Sequence, residues 1–197
     1  MERLINASKA DGGERDGRLS KQFGDFAEGL VMYMLGRIRG MTVALIDHVG
    51  ADIIAVDRNS KNRYMVSVKG RNFPETESKG FVFTRDNCEK LEKISDDFKM
   101  IPAIAFVFVD EYEADSNGKR VMKIRILFIA LKDLKNNAGN SKFLSEVEKG
   151  YSIRYEKKCW GKEKKSTLDL IRECDFIDYT EFALNSPIDL EKSPFGQ

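Results

Sequence analysis

Apolar and polar positions change period several times along this chain, and each change marks an element. Gly29–Leu35 (GLVMYML) is apolar nearly all round, which predicts a well-buried helix. Ser20 is expected to cap it, with an end near Arg37. After a turn at Arg39-Gly40 come three short runs: Thr42–Ile46, Ala51–Val56 and Tyr64–Val68. The turn-rich stretches Asp47–Gly50 (DHVG) and Asp57–Lys61 (DRNSK) separate them, so they read as an antiparallel meander. Residues 70–80 read as a polar loop and Phe81–Phe83 as a short strand. A helix starting at Thr84 or Asp86 runs to about Phe98, with Cys88, Leu91, Ser95 and Phe98 at helical spacing. Pro102–Val109 is continuously apolar, the pattern of a central strand covered on both faces. A loop around Asp115–Gly118 leads to a strand at Val121–Ile129, then to helical segments near Leu131–Lys135 and Ser141–Lys149 and a strand at Tyr151–Tyr155. The stretch beyond is charged and less regular, and there is no internal repeat.

This alternation of helices and strands is an α/β pattern, and 197 residues suffice for one well-buried core. The expected division is a flexible arm over 1–19, a core over 20–155, and a basic segment and tail over 156–197 packing on the same domain. The longest apolar run, Ile101–Val109, falls far short of a bilayer span, and Met1–Leu19 lacks an apolar signal region. Both point to a cytoplasmic protein with no membrane partner. Three cysteines without a Cys-x-x-Cys pair argue against a disulfide framework and a zinc cluster. The single histidine, His48, stands just before Gly50 and reads as a turn residue, which removes histidine-dependent hydrolase and metal chemistries. A net charge of +1 gives no overall basic surplus, so any phosphate-binding surface must come from local clustering.

Three positions carry chemistry together: Glu28 in the first helix, Asp52 in the second strand and Lys69 at the end of the third. Phosphodiester hydrolysis needs charge neutralised on the phosphate and an acidified water, which a magnesium ion on one or two carboxylates supplies. A nearby lysine can orient the nucleophile or stabilise the developing anion. Side chains alternate along a strand, so Ser67 and Lys69 share one face, and Val66 and Val68 the other. Asp52 interrupts an apolar strand, where an acid is costly unless liganded or solvated. Glu28 has Val31, Met32 and Leu35 at +3, +4 and +7, so it leans toward the protein.

The segments FAEGLV (Phe26–Val31), GADIIAVD (Gly50–Asp57) and VSVKGR (Val66–Arg71) resemble the three motif blocks of the PD-(D/E)XK, restriction-endonuclease-like nuclease superfamily, over about residues 20–130. The resemblance implies a mixed central sheet flanked by helices, Mg2+ or Mn2+ held by Asp52, Glu28 and the Val68 carbonyl, and Lys69 positioning or activating water. It also implies nucleic acid, DNA above all, as the substrate, and a homodimer as one working form, although no segment identifies a dimer surface. Ser67 occupies the position where the family usually has a carboxylate. Glu28, or Asp86 or Glu89 at the start of the next helix, is the candidate to replace it. Two alternatives stay open: a nuclease-fold protein that binds nucleic acid or serves as an assembly subunit without cleaving, and a protein-interaction module. A second basic feature surrounds Trp160: Lys157, Lys158, Lys162, Lys164 and Lys165 would hold a phosphate backbone while the indole stacks on a base. Arg71 is a comparable phosphate contact beside the motif site.

Overall fold

The computed structural model describes residues 17–73, 80–114, 120–154, 159–160 and 165–185. A long helix α1 (Gly17–Gly36) leads into strands β1 (Met41–His48), β2 (Ala51–Asp57) and β3 (Arg63–Phe73). Then follow β4 (Gly80–Thr84), α2 (Arg85–Asp97), β5 (Ile101–Ala114), β6 (Arg120–Ala130) and α3 (Leu131–Asn137). The last described elements are β7 (Leu144–Val147), β8 (Gly150–Arg154), β9 (Cys159–Trp160), β10 (Lys165–Ser166), α4 (Thr167–Arg172) and β11 (Asp178–Asn185).

Six strands form one sheet in the order β1-β2-β3-β5-β6-β11. β3 and β5 run parallel, and every other neighbour in it is antiparallel. Strand β5 lies inside the sheet, and its run Ala103–Val109 is buried throughout, as an all-apolar strand requires. Ala27, Val31 and Leu35 of α1 cover one face, packing on Ile53, Ala55, Val66, Val68 and Ala105. On the opposite face Cys88, Leu91 and Ile94 of α2, with Phe83 of β4 and Ile153 of β8, pack on Met65, Ile104, Phe106 and Leu127. Each Val, Leu, Ile, Phe or Met among them contributes about 1.5–3 kcal/mol on leaving water. Thr84 caps α2 by accepting from the Asn87 amide at 3.3 Å.

Several sequence expectations are corrected. Helix α1 begins at Gly17, so Ser20 lies inside it rather than capping it; Arg18 and Leu19 are good helix formers that extend the first turn. The Ser141–Lys149 stretch is not helical: Leu144–Val147 pairs with β8, which in turn pairs with β4. Gly150 has φ +149, and a Cβ there would collide with the Phe83 carbonyl, so backbone approach and sheet pairing override the helical propensity of Glu148 and Lys149. Strand β3 continues to Phe73 because its parallel ladder with β5 extends to Phe73↔Asp110. The irregular tail contains β11, which pairs with β6 over eight residues. Arg125, 1% exposed, anchors it by donating from Nε to Glu181 at 2.8 Å, while Tyr179 and Arg172 donate to the same carboxylate. Burial pushes the Glu181 carboxyl up, but these hydrogen bonds and the two guanidinium charges bring it down to about 2. The expected Asp115–Gly118 loop lies outside the described residues.

Candidate active site

The sheet opens around Asp52. Pairing between β2 and β3 runs from Val56↔Arg63 to Ile53↔Val66 and stops there. On the other side, the β1–β2 register shifts between Leu45↔Ile53 and His48↔Ala51, so Ile46 and Asp47 face the single residue Asp52. A bulge of this kind re-aims side chains and loosens the ladder. The Asp52 carboxylate occupies the gap on the β3 side: its Oδ2 accepts from the Val68 amide at 2.6 Å and from the Ser67 hydroxyl at 3.4 Å. A charged acceptor on a backbone amide is a strong bond, which offsets the cost of holding an acid half-buried in an apolar strand. The N–H and C=O of one strand residue point to the same side, so the Val68 carbonyl also opens toward this gap.

Helix α1 brings Glu28 to the same place. It crosses the sheet obliquely: a Cβ on Gly70 would lie 2.8 Å from the Phe23 ring and 3.0 Å from the Ala27 Cβ, and one on Gly36 would lie 3.5 Å from Val43 of β1. Only a glycine at position 70 lets the helix descend so far, and Glu28 follows Ala27 directly. Burial raises the Glu28 carboxyl above its ordinary value, and the negative charges of Asp52, Asp25 and Asp47 push it further, while Lys69 pulls it down. Glu28, Asp52 and Lys69 therefore share one electrostatic neighbourhood.

The face parity expected for β3 holds, with one difference. Val66 and Val68 pack beneath α1, but Ser67 is also buried, at 2% exposure, because α2 and its neighbours cover the other face. Its hydroxyl is directed at Asp52, so Ser67 acts on that carboxylate. Lys69 is half-buried, and Arg71, two residues on along the same strand face, is exposed. Asp86 accepts from Lys90 at 2.6 Å on the surface of α2, and Glu89 is exposed. Besides Asp52, Glu28 feels two acids that have no place in the sequence reading, Asp25 and Asp47. Asp25 could have been found three residues before Glu28 on the same helix face. Asp47 was absorbed into the DHVG turn, and a bulge leaves no sequence signal of its own. His48 is exposed, its Nδ1 lying 3.1 Å from the Val49 carbonyl, consistent with a turn residue.

Among the described residues no three His, Cys, Asp or Glu side chains group closely enough to hold an ion unaided. Two carboxylates and a carbonyl, all oxygen donors, nevertheless match what magnesium or manganese takes from a protein when water and phosphate complete its shell. In the basic segment Lys157, Lys158, Lys162 and Lys164 lie outside the described residues, and Trp160 pairs with Lys165 across the short β9–β10 ladder. No helix among the described residues is long and apolar enough to cross a membrane.

The fold class is α/β, with a mixed central sheet flanked by helices, in which a helix and three antiparallel strands are followed by a further helix and an interior strand parallel to the third. The chain is similar to the 1.6 Å structure of Hjc from Archaeoglobus fulgidus, a Holliday junction resolvase from an archaeal hyperthermophile, with TM-score 0.44 and 16% identity over 66% of this chain and 83% of that chain. No family model matches the chain, and no curated protein matches it.

Proposed function

We propose that this protein is a divalent-metal-dependent endonuclease acting on DNA. The reading rests on one observation above others: Asp52 sits where the ladder is broken on both sides, bonded to the Val68 amide, with Glu28 and Lys69 in electrostatic reach. Asp52, Glu28 and the Val68 carbonyl would hold Mg2+ or Mn2+. Such an ion neutralises charge on a phosphate and acidifies a water molecule. The Val68 amide and the Ser67 hydroxyl orient Asp52 through Oδ2, which leaves Oδ1 for another partner. Lys69 supplies a fixed positive charge to orient the nucleophile and stabilise the anion that develops. Arg71, farther along β3, would contact the phosphate backbone, and the lysines around Trp160 would extend that contact. Incubation of the purified protein with supercoiled plasmid and magnesium or manganese tests this. Nicking or linearisation is expected, and cleavage that survives both Asp52→Ala and Lys69→Ala excludes the assignment.

Ser67 favours a second reading, a nuclease-fold protein that binds nucleic acid or serves in an assembly without cleaving it. A buried hydroxyl stands in the position of a family ligand and is directed at Asp52 instead. This reading expects DNA binding that weakens steeply with salt and no turnover with either metal.

A further inference from the structure

A hollow of about 400 Å3 lies beneath the C-terminal half of α1, at the other end of β2 from Asp52. Asp57, on its rim, is roughly 16 Å from Asp52 along an extended strand, so the hollow is separate from the candidate active site. It follows from the way α1 is laid down. The helix passes from Gly70 of β3 to Val43 of β1, so its last turns stand over β1 and β2, several strands away from β6 and β11. The wedge left between them is walled by Val31 and Leu35 of the helix, Ala55 of β2, and Ile126 and Thr180 of the distant strands. Its floor is aromatic. Tyr64 and Phe128 come from the strands flanking β5 and meet edge to face, 5.6 Å between centroids at 85°, with only the small Ala103 and Ala105 of β5 on that face between them.

Charge decides what fits this space. Asp57 and Asp178 line the hollow, and no lysine or arginine does. Asp178 is exposed on the same face of β11 as Thr180, and among the described residues no hydrogen bond or ion pair engages its carboxylate. Asp57 accepts from the Ser60 hydroxyl at 2.6 Å and the Asn59 amide at 2.8 Å, bonds that hold its carboxyl below the ordinary range and keep it charged. The C-terminal end of α1 adds the negative pole of the helix dipole. An anion is repelled by all three, and a neutral apolar molecule leaves the acids without a counter-charge. A hydrocarbon body with a positive head satisfies both floor and rim, and aromatic rings attract such a head as well. The volume lies within the range of about 300–1,000 Å3 usual for small-ligand sites. We propose that the hollow is a binding site for a small organic cation, an aromatic or branched hydrocarbon body carrying one ammonium group, with the body on Tyr64 and Phe128 and the head at Asp178 and Asp57.

The proposal does not depend on the nuclease reading, because its test reads binding and not cleavage. Three compounds share one hydrocarbon body and differ in the head: 4-phenylbutylamine, 4-phenylbutanol and 4-phenylbutyrate. Each is titrated at pH 7 into the full chain with 13C-labelled methionine methyl groups and followed by nuclear magnetic resonance. The amine, protonated like lysine, is expected to bind with Kd on the order of 0.1–1 mM, the alcohol about tenfold more weakly, and the acid more weakly still. The Met34 and Met41 methyl signals, in the wall of the hollow, are expected to shift, and that of Met65, buried on the opposite face of the sheet, to stay. Asp178→Asn, at an exposed position, is expected to weaken the amine about threefold to tenfold with an unchanged Tm. Thr180→Phe, which fills the hollow, is expected to abolish binding; should that variant not fold, Asp178→Asn still decides. No shift with the amine up to about 5 mM overturns the proposal. Equal affinity for all three heads overturns it too, and so does amine binding that ignores Asp178→Asn or that moves Met65 in place of Met34 and Met41.

Discussion

Replacing Gly70 with alanine puts a methyl group where α1 rests on β3. That carbon would lie 2.8 Å from the Phe23 ring and 3.0 Å from the Ala27 Cβ, while apolar carbons settle at about 3.5–4.0 Å. The helix must rise by about 1 Å, or Phe23 must swing aside. Overpacking of this kind costs about 1–3 kcal/mol, and alanine regains about 0.4–1 kcal/mol by restricting the unfolded chain. The net loss is about 1–2 kcal/mol, which lowers Tm by about 3–6 °C in a protein of this size. The effect on chemistry is expected to be larger, because Glu28 follows Ala27 and moves with it. A displacement of about 1 Å at a catalytic group costs on the order of 100-fold in rate. Thermal melting and plasmid cleavage, read side by side, test both halves. Adding Phe23→Ala should return part of the lost cleavage, since it removes the nearer obstacle. Unchanged melting and cleavage in Gly70→Ala would refute the claim that this close approach positions Glu28.

Asp52→Ala leaves the Val68 amide without its acceptor and should destabilise by about 1–3 kcal/mol, whereas Asp52→Asn keeps an acceptor oxygen and should melt near wild type. Both should lose cleavage, which separates folding from chemistry. Glu28 is held above its ordinary 4.5, so the folded state binds its proton more tightly than the unfolded state, and its ionisation at neutral pH opposes folding. Glu28→Gln should therefore raise Tm by about 1–2 °C at pH 7 and not at pH 4, a small gain because the group is largely solvated. A gain of equal size at both pH values would contradict the assignment. Glu181 has the opposite sign: its carboxyl falls to about 2 from the ordinary 4.5, so its contribution is complete above pH 4.5 and is lost as pH drops toward 2. Glu181→Gln, by removing this partner from buried Arg125, should cost about 2–3 kcal/mol in denaturant unfolding at pH 7, and progressively less in acid.

The elements that position the site were legible because their periods are clear. The apolar run Pro102–Val109 could be buried on both faces only as an interior strand, and the DHVG and DRNSK turns fixed the meander. Alternation alone placed Ser67 and Lys69 together and opposite Val66 and Val68. What escaped the reading depends on tertiary contact. The broken ladder around Asp52 comes from a bulge in β1, and nothing in MTVALIDH marks where the extra residue falls. Gly70 looked like the start of a loop; its role is set by Phe23 and Ala27, more than forty positions away. Asp86 and Glu89 were reasonable substitutes by chain order, yet Asp86 is engaged by Lys90, whereas Asp25 and Asp47 gather near Glu28. The Ser141–Lys149 stretch carries helix-forming Glu and Lys residues, and only the pairing of Leu144–Val147 with β8 makes a strand within it.

Manganese titration of the purified protein, followed by electron paramagnetic resonance of the free ion, tests most directly whether Glu28, Asp52 and Lys69 form a single site. Wild type should take up one ion, and Asp52→Asn and Glu28→Gln should each weaken that uptake about tenfold or more. Lys69→Met should strengthen it, because a positive charge next to the ion is removed. Uptake indifferent to all three substitutions, or none in the wild type, would contradict a shared metal site in the opening around Asp52.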